Sequence, residues 1–186
     1  MLMENVGILI ILIIVFLKTK EVFNMSKLFL MMGAPGSGKS YWATNHLSKN
    51  DIYISRDEIR FSLISDEDEY FAKETEVFDI FINKINQYLN EGFNVFADAT
   101  HLNPASRNKT ISRIKAKVDE INVIFLDTSL SVCLERNALR EGRKFVPETV
   151  IKNMYNSIKI PEKEEGISKV YIVKNNQPIE IRCLEG

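Results

Sequence analysis

The sequence predicts an α/β fold, a parallel sheet of about five strands flanked by helices. Three observations lead there. From Lys27 onward, short apolar runs alternate with longer amphipathic ones, the pattern of strands joined by crossover helices. One of those runs, Leu28–Met32, is apolar throughout and ends on Gly33, as a central strand feeding a glycine loop would. And 186 residues suffice for one buried core but not for two, with apolar (45%) and charged (26%) shares that exclude a disordered or fibrous chain.

The elements follow in order. Leu28–Met32 is the first strand, and a helix is expected from Lys39 to about Leu47, with Tyr41 and Trp42 as packing residues and His46 at the surface. Ile52–Ser55 is a second short strand. Acidic Asp66–Glu69 reads as a solvated loop or helix start. Tyr70–Leu89 carries Phe71, Val77, Phe78, Phe81, Ile82, Ile85 and Leu89, mostly at three- and four-residue steps, so it predicts a long helix stopped by Gly92. Phe93–Ala97 is the third strand, delivering Asp98 to its carboxyl end. Asn103-Pro104 is a cap followed by a first-position proline, opening a helix to about Val118. Ile121–Leu126 is the fourth strand, and Asp127-Thr128-Ser129 offers caps for a helix through Leu139. Arg140–Phe145 reads as a basic loop, Pro147 restarts a helix to about Ile158, and Lys169–Val173 is the last strand.

Two segments frame this pattern. Residues 1–24 form a hydrophobic extension containing Val6–Leu17, an unbroken apolar run shorter than the about 20 residues a spanning helix needs. It reads as an upstream translation artefact, ahead of a weak anchor or an extra packed element, with the folded domain over residues 25–186. Cys133 and Cys183 have no metal-like spacing and suit two buried thiols in a reducing cytoplasm; no stable membrane partner is expected. A net charge of −1 supplies no global field for nucleic acid, so a nucleic-acid substrate would have to be held locally.

Gly33-Ala34-Pro35-Gly36-Ser37-Gly38-Lys39-Ser40 matches G-x-x-x-x-G-K-[ST] between a strand and a helix, the context that makes it a P-loop. Glycines let successive backbone N–H groups point at phosphate oxygens, and the following helix adds the positive end of its dipole. Lys39 would reach the β- and γ-phosphates of ATP, and the Ser40 hydroxyl would ligate Mg²⁺.

The acceptor side rests on fewer residues. In Ser55-Arg56-Asp57-Glu58-Ile59-Arg60, Asp57 lies at the carboxyl edge of the sheet, where ligands bind in such folds, and suits a general base. Arg60, one helical turn on, suits a phosphate of the acceptor; taken alone the pair also reads as an exposed ion pair at a helix start. Asp98 is either a Mg²⁺ residue beside Ser40 or the cap of the next turn. Asp98, Thr100 and Asn103 are candidate substrate contacts, Asn103 being first of all a helix cap. Arg136, Arg140 and Arg143, with Lys144, surround Gly142 and suit a lid over the ATP phosphates, with Arg140 on the migrating phosphoryl group; a solvated basic loop is the plainer reading. His46 and His101 look incidental, and the sequence shows no aromatic stacking strip.

The phrases GAPGSGKSYWA, SRDEIR, DATHLNPASR and RNALREGRKFVPETVIKNMYNSI together resemble the kinase domain of the bacteriophage-type 5′-hydroxyl polynucleotide kinases, within the small P-loop kinase and AAA-type ATP-binding group. The similarity spans roughly Lys27 to Ile160, and its most specific part is the spacing from the arginine segment to the Val146-Pro147 helix. The resemblance implies a P-loop NTPase fold and transfer of the γ-phosphate of ATP to the 5′-hydroxyl of DNA or RNA. It implies Lys39 and Ser40 on phosphate and Mg²⁺, Asp57 as base, Arg60 on the acceptor's phosphate and Arg140 on the ATP side. Two departures stand out. Ala99 occupies the place where the phage-type enzyme carries its acidic residue, and no Asp-x-Asp-Gly motif is present, so no phosphatase activity is expected. A P-loop kinase of a nucleoside, sugar, antibiotic or other metabolite is the alternative, and a nucleotide-binding regulator the third reading.

Overall fold

The computed structural model describes residues 26–65, 67–174, 177 and 179–184; the expectations for residues 1–24 and for Met25 lie outside them. Strand β1 (Lys27–Met32) sends Leu28, Leu30 and Met32 into one hydrophobic cluster and Met31 with Phe29 into another, so both faces of the strand are covered. Its neighbours are β3 (Asn94–Asp98) on one side and β4 (Glu120–Leu126) on the other, both parallel to it. Beyond β3 lies β2 (Asp51–Ser55), and beyond β4 lie β5 (Lys169–Val173) and β6 (Glu180–Cys183), giving the order β2-β3-β1-β4-β5-β6.

The chain after β1 therefore leaves the sheet centre, and β1 sits between strands reached by later crossovers. That is a topological switch point, where loops on the two sides diverge and open a crevice at the carboxyl ends of the strands. Helix α1 (Lys39–His46) packs Ala43 and Trp42 against Met31 and Phe96, with the Phe29 and Phe96 rings stacked at 4.4 Å. Helix α3 (Glu74–Asn90) buries Val77, Phe78, Phe81, Ile82, Ile85 and Leu89 on the opposite face. The α/β architecture is as the sequence predicts; among the described residues no helix is long and apolar enough to cross a membrane.

Five expectations change. The sheet has six described strands rather than about five, because β6 pairs antiparallel with β5. It is exposed along its whole length, so Cys183 is exposed while only Cys133 is buried. Helix α2 (Arg56–Leu63) is a full two-turn helix, capped by the Ser55 hydroxyl accepting from Glu58 N. Helix α3 begins at Glu74, because Tyr70–Lys73 turns aside to bring Tyr70 onto α2. Helix α4 (Pro104–Ile111) stops well short of Val118: Asn86 of α3 accepts from the N–H groups of Lys115 and Ala116 at 2.6 and 2.9 Å and donates to Arg113 O. A side chain from another helix captures the backbone groups that continued helix would have used.

Helices α5 (Leu130–Ala138) and α6 (Glu148–Asn156) flank the basic segment, which contains a short 3₁₀ turn at Gly142–Lys144. Tyr41 is exposed rather than packed, whereas Trp42 packs on the sheet and stacks on exposed His46 at 4.5 Å.

Candidate active site

One cleft of about 960 Å³ lies along the carboxyl edge of the sheet, with the glycine loop at one end and α2 with Tyr70 at the other. At the first end the chain curls between β1 and α1. Gly36 has φ +84°, and a Cβ there would stand 2.4 Å from Cys133 O, so only glycine fits. Gly38, at φ +99°, caps α1 and aligns the amino terminus of that helix with the cleft. Ala34 and Ser37 are buried, forming the loop's floor. Below them Thr128 donates to Ser37 O at 2.9 Å, and Gly33 N donates to Thr100 O at 3.2 Å, tying the loop to the ends of β4 and β3.

Lys39 lies folded back, its ammonium donating to Gly33 O at 2.9 Å and Ala34 O at 3.4 Å. Ser40 donates to Asp98 Oδ2 at 3.1 Å, and the Tyr53 hydroxyl donates to the same oxygen. Burial, and then the charge of Asp98, push the Tyr53 phenol well above its ordinary value, so it stays a donor. An exposed hydroxyl beside a buried carboxylate is a hard-oxygen pair that fits Mg²⁺. Among the described residues no three His, Cys, Asp or Glu side chains gather to hold a metal. A Mg²⁺ ion here would take most of its ligands from phosphate oxygens and water, its habit in nucleotide sites.

The other end of the cleft is made of side chains. Arg60 is buried, and its guanidinium donates to Asp57 Oδ1, to Tyr70 Oη at 2.9 Å and to Glu74 Oε2 at 2.8 Å. Glu74 also accepts from Arg56. Tyr70 donates to Asp57 Oδ1 at 2.9 Å, and burial, then Asp57, push its phenol up to about 12. Asp57 itself is largely exposed, with one oxygen gripped from below and its outer face toward the cleft. The Arg60 guanidinium carbon lies 4.4 Å from the centre of the Tyr70 ring, and Phe61, Phe71 and Phe145 complete an aromatic surface at this end. That surface corrects the absence of a stacking strip in the sequence: its rings come from α2, the turn before α3 and the basic segment, and meet only in the fold.

The basic segment divides its arginines. Arg136 reaches the carbonyls of Gly36 and Ser37 at 3.4 and 3.3 Å, bracing the loop. Arg140 is exposed and lines the cleft, within 3.5 Å of Lys144 O. Arg143 turns toward α2 instead of the glycine loop, donating to Ile64 O at 2.9 Å with its guanidinium 5.0 Å from the Phe61 ring centre. The root of the segment is fastened by buried Asn137, which donates to Val146 O at 2.8 Å and accepts from Val146 N at 3.1 Å.

Thr100 lines the cleft, while Asn103 does not: its side chain accepts from Ser106 N at 3.0 Å in a capping box, which uses it up as a helix cap. His101 is buried with a left-handed φ of +42°, bonded through Nδ1 to Met31 O and through Nε2 to the Thr110 hydroxyl. A carbonyl only accepts, so Nδ1 carries a proton. Burial holds its pKa down to about 4. Beneath it, fully buried Arg107 donates twice to Glu165 at 2.7 Å, to His101 O at 3.1 Å and to Lys159 O at 2.9 Å. Tyr53, Tyr70, Glu74 and Arg107 are not among the site residues read from the sequence; single residues of common type, they carry no local signal.

The sequence model described as AAA domain matches residues 28–161. Among solved structures, a chain of the Pnkp1/Rnl/Hen1 RNA repair complex superimposes with a TM-score of 0.62 at 23% identity, covering 72% of this chain and 44% of that one. This chain thus spans less than half the length of that relative. Chaetomium thermophilum Kti12 in complex with ADP-AlF3 gives 0.57 at 14% identity over 80% and 89% of the two chains. A gluconokinase from Sinorhizobium meliloti 1021 gives 0.51 at 22% identity over 84% and 85%. At such identities the likeness establishes the fold.

Proposed function

This chain belongs to the AAA domain family, and from that premise we infer that it is an ATP- and Mg²⁺-dependent kinase acting on the 5′-hydroxyl of a nucleic-acid strand. The observation that carries the choice of acceptor is the make-up of the cleft's far end. An exposed carboxylate, a guanidinium and aromatic faces stand together there as Asp57, Arg60, Tyr70 and Phe71. Those groups complement the three parts of a terminal nucleotide: its hydroxyl, its phosphate and its base. Resemblance to a chain of an RNA repair complex points the same way.

In the reaction, the acceptor oxygen bonds to the γ-phosphorus as the bond from that phosphorus to the β,γ-bridging oxygen breaks, releasing ADP. Asp57 takes the hydroxyl proton, a role worth about 10²–10⁴ in rate. Its grip by Arg60 and Tyr70 fixes the direction of the free oxygen. Lys39, released from its own loop's carbonyls, neutralises the transferring phosphate, and Arg140 closes from the basic segment. Mg²⁺ held at Ser40 and Asp98 would supply further charge neutralisation. The active domain occupies residues 25–186, and residues 1–24 are dispensable for transfer.

A small-molecule acceptor is the competing reading, favoured by the gluconokinase that aligns over most of both chains. The test is transfer of γ-labelled phosphate from ATP with Mg²⁺ to 5′-hydroxyl DNA and RNA oligonucleotides, beside nucleosides, gluconate and other sugars. Label on the oligonucleotides, lost with Lys39→Ala and Asp57→Asn, is the expected result. Label on a small molecule alone replaces the acceptor; tight ATP binding with no label anywhere replaces the kinase by a nucleotide-binding regulator.

A further inference from the structure

Outside the cleft, on the far side of Glu74, Phe78 of α3 is buried with three cations around its ring. The Arg56 guanidinium lies 5.1 Å from the ring centre, Lys109 Nζ 4.6 Å and the Arg113 guanidinium 5.9 Å. They come from the start of α2, from α4 and from the turn after α4, so the fold alone gathers them. Lys109 and Arg113, with the exposed hydroxyl residues Thr75 and Ser112, line a depression of about 370 Å³ that shares Glu74 with the main cleft.

Two carboxylates, Glu74 and Asp79, line the depression beside Lys109 and Arg113. Arg113 pairs with Asp79 at 2.9 Å, and Arg56 must share Glu74 with Arg60. Lys109 has no carboxylate partner among the described residues. Arg56 Nε is buried and unpartnered, and both burial and the like charge of Arg60 work against that guanidinium. Arg56, Arg60, Lys109 and Arg113 are four cations against the three carboxylates Asp57, Glu74 and Asp79, which leaves one positive charge, at Lys109, for an anion to join. From Arg60 through Arg56 to Lys109 and Arg113 they form a track leading out of the acceptor end, on a chain whose net charge is −1.

We propose that this depression is a subsite for the next phosphate of a polynucleotide acceptor, with Lys109 and Arg113 as its cations and Thr75 and Ser112 as hydroxyl donors. The proposal rests on the nucleic-acid reading above and deepens it. Arg60 meets the phosphate of the terminal nucleotide, and the subsite meets the one after it, so the enzyme distinguishes a strand from a mononucleotide. Local cation placement does what the near-neutral chain as a whole does not.

The test compares acceptors carrying one phosphate or several: a nucleoside 3′-monophosphate against 5′-hydroxyl tri- and hexanucleotides. Full-length protein and the Lys109→Ala/Arg113→Ala double variant are assayed side by side. Both residues are exposed, and thermal unfolding confirms that the variant is folded. The original chain should show a KM about tenfold lower for the trinucleotide than for the monophosphate, weakening with salt. The double variant should lose that advantage and its salt dependence while keeping its KM for the monophosphate and for ATP, and Lys109→Arg alone should retain the advantage. A length advantage that survives the double substitution, or none in the original chain, overturns the subsite and leaves the kinase reading standing. No label on any 5′-hydroxyl acceptor overturns the kinase reading itself, and the subsite with it.

Discussion

At one end of the cleft the binding groups are backbone N–H donors fixed by glycines; at the other they are side chains holding one another. The glycine loop depends on torsion angles at Gly36 and Gly38 and is braced from beneath by Thr128, Thr100 and Arg136. The acceptor end depends on Glu74 and Asp57 sharing the charge of Arg56 and Arg60, with Tyr70 between them. A backbone site is rigid before its ligand arrives and indifferent to most side-chain changes. A side-chain site is a set of coupled charges, in which altering one member re-aims the rest.

Substitution at each end should separate these behaviours, and the largest effect belongs to the loop. Gly36→Ala should weaken ATP binding by about a thousandfold by titration calorimetry, since the methyl group would strike the Cys133 carbonyl in a torsion that L residues avoid. Next comes the buried bracing under that end. Arg107→Ala strands Glu165 and two carbonyls, and should lower stability by about 3–5 kcal/mol in urea unfolding. The protein that remains folded should bind the acceptor as before.

His101 bears on the same bracing through pH. Its folded pKa of about 4 lies below the unfolded value of 6.5, so its contribution is fully present above pH 6.5. As pH falls from there toward 4, the unfolded chain takes a proton that the fold refuses, and about 3 kcal/mol of stability is lost. His101→Asn, which accepts the left-handed torsion, should flatten that slope when unfolding is followed from pH 7 to 4. The smallest effect is expected at the acceptor end: Glu74→Gln should raise the acceptor's KM about tenfold by loosening Arg60 and Arg56, with the KM for ATP unchanged. Equal loss at both sites would mean that the two ends are one coupled unit and break the contrast.

The same contrast explains what could be read in the sequence. The phosphate end is contiguous, so Gly33–Ser40 announces itself, and the five strands that carry apolar runs were legible for the same reason. Asp57 and Arg60 were legible because they lie one helical turn apart. Glu74 was not, since nothing local marks a glutamate that reaches back to two arginines on another helix. The early end of α4 was equally hidden, being set by Asn86 from α3. The turn of Arg143 toward α2 was not legible either, because a basic segment read along the chain shows its charges but not which way each turns. The alternation of Ile179, Ile181 and Cys183 with polar residues was the signal for β6, too short to stand out beside Lys169–Val173.

The fastening of Asn137 to Val146 makes residues 138–145 a closed ring of chain rather than an arm. Fully stretched, such a ring carries its midpoint no more than about 14 Å from its root. Its excursions belong to the nanosecond-to-microsecond range of short loops, and its closure entropy is already spent in the resting protein. Phosphotransferases of this size turn over about 1–100 times a second. On the kinase reading proposed above, Arg140 would arrive and leave many times within each cycle, and the bottleneck would fall on bond making or on the departure of ADP.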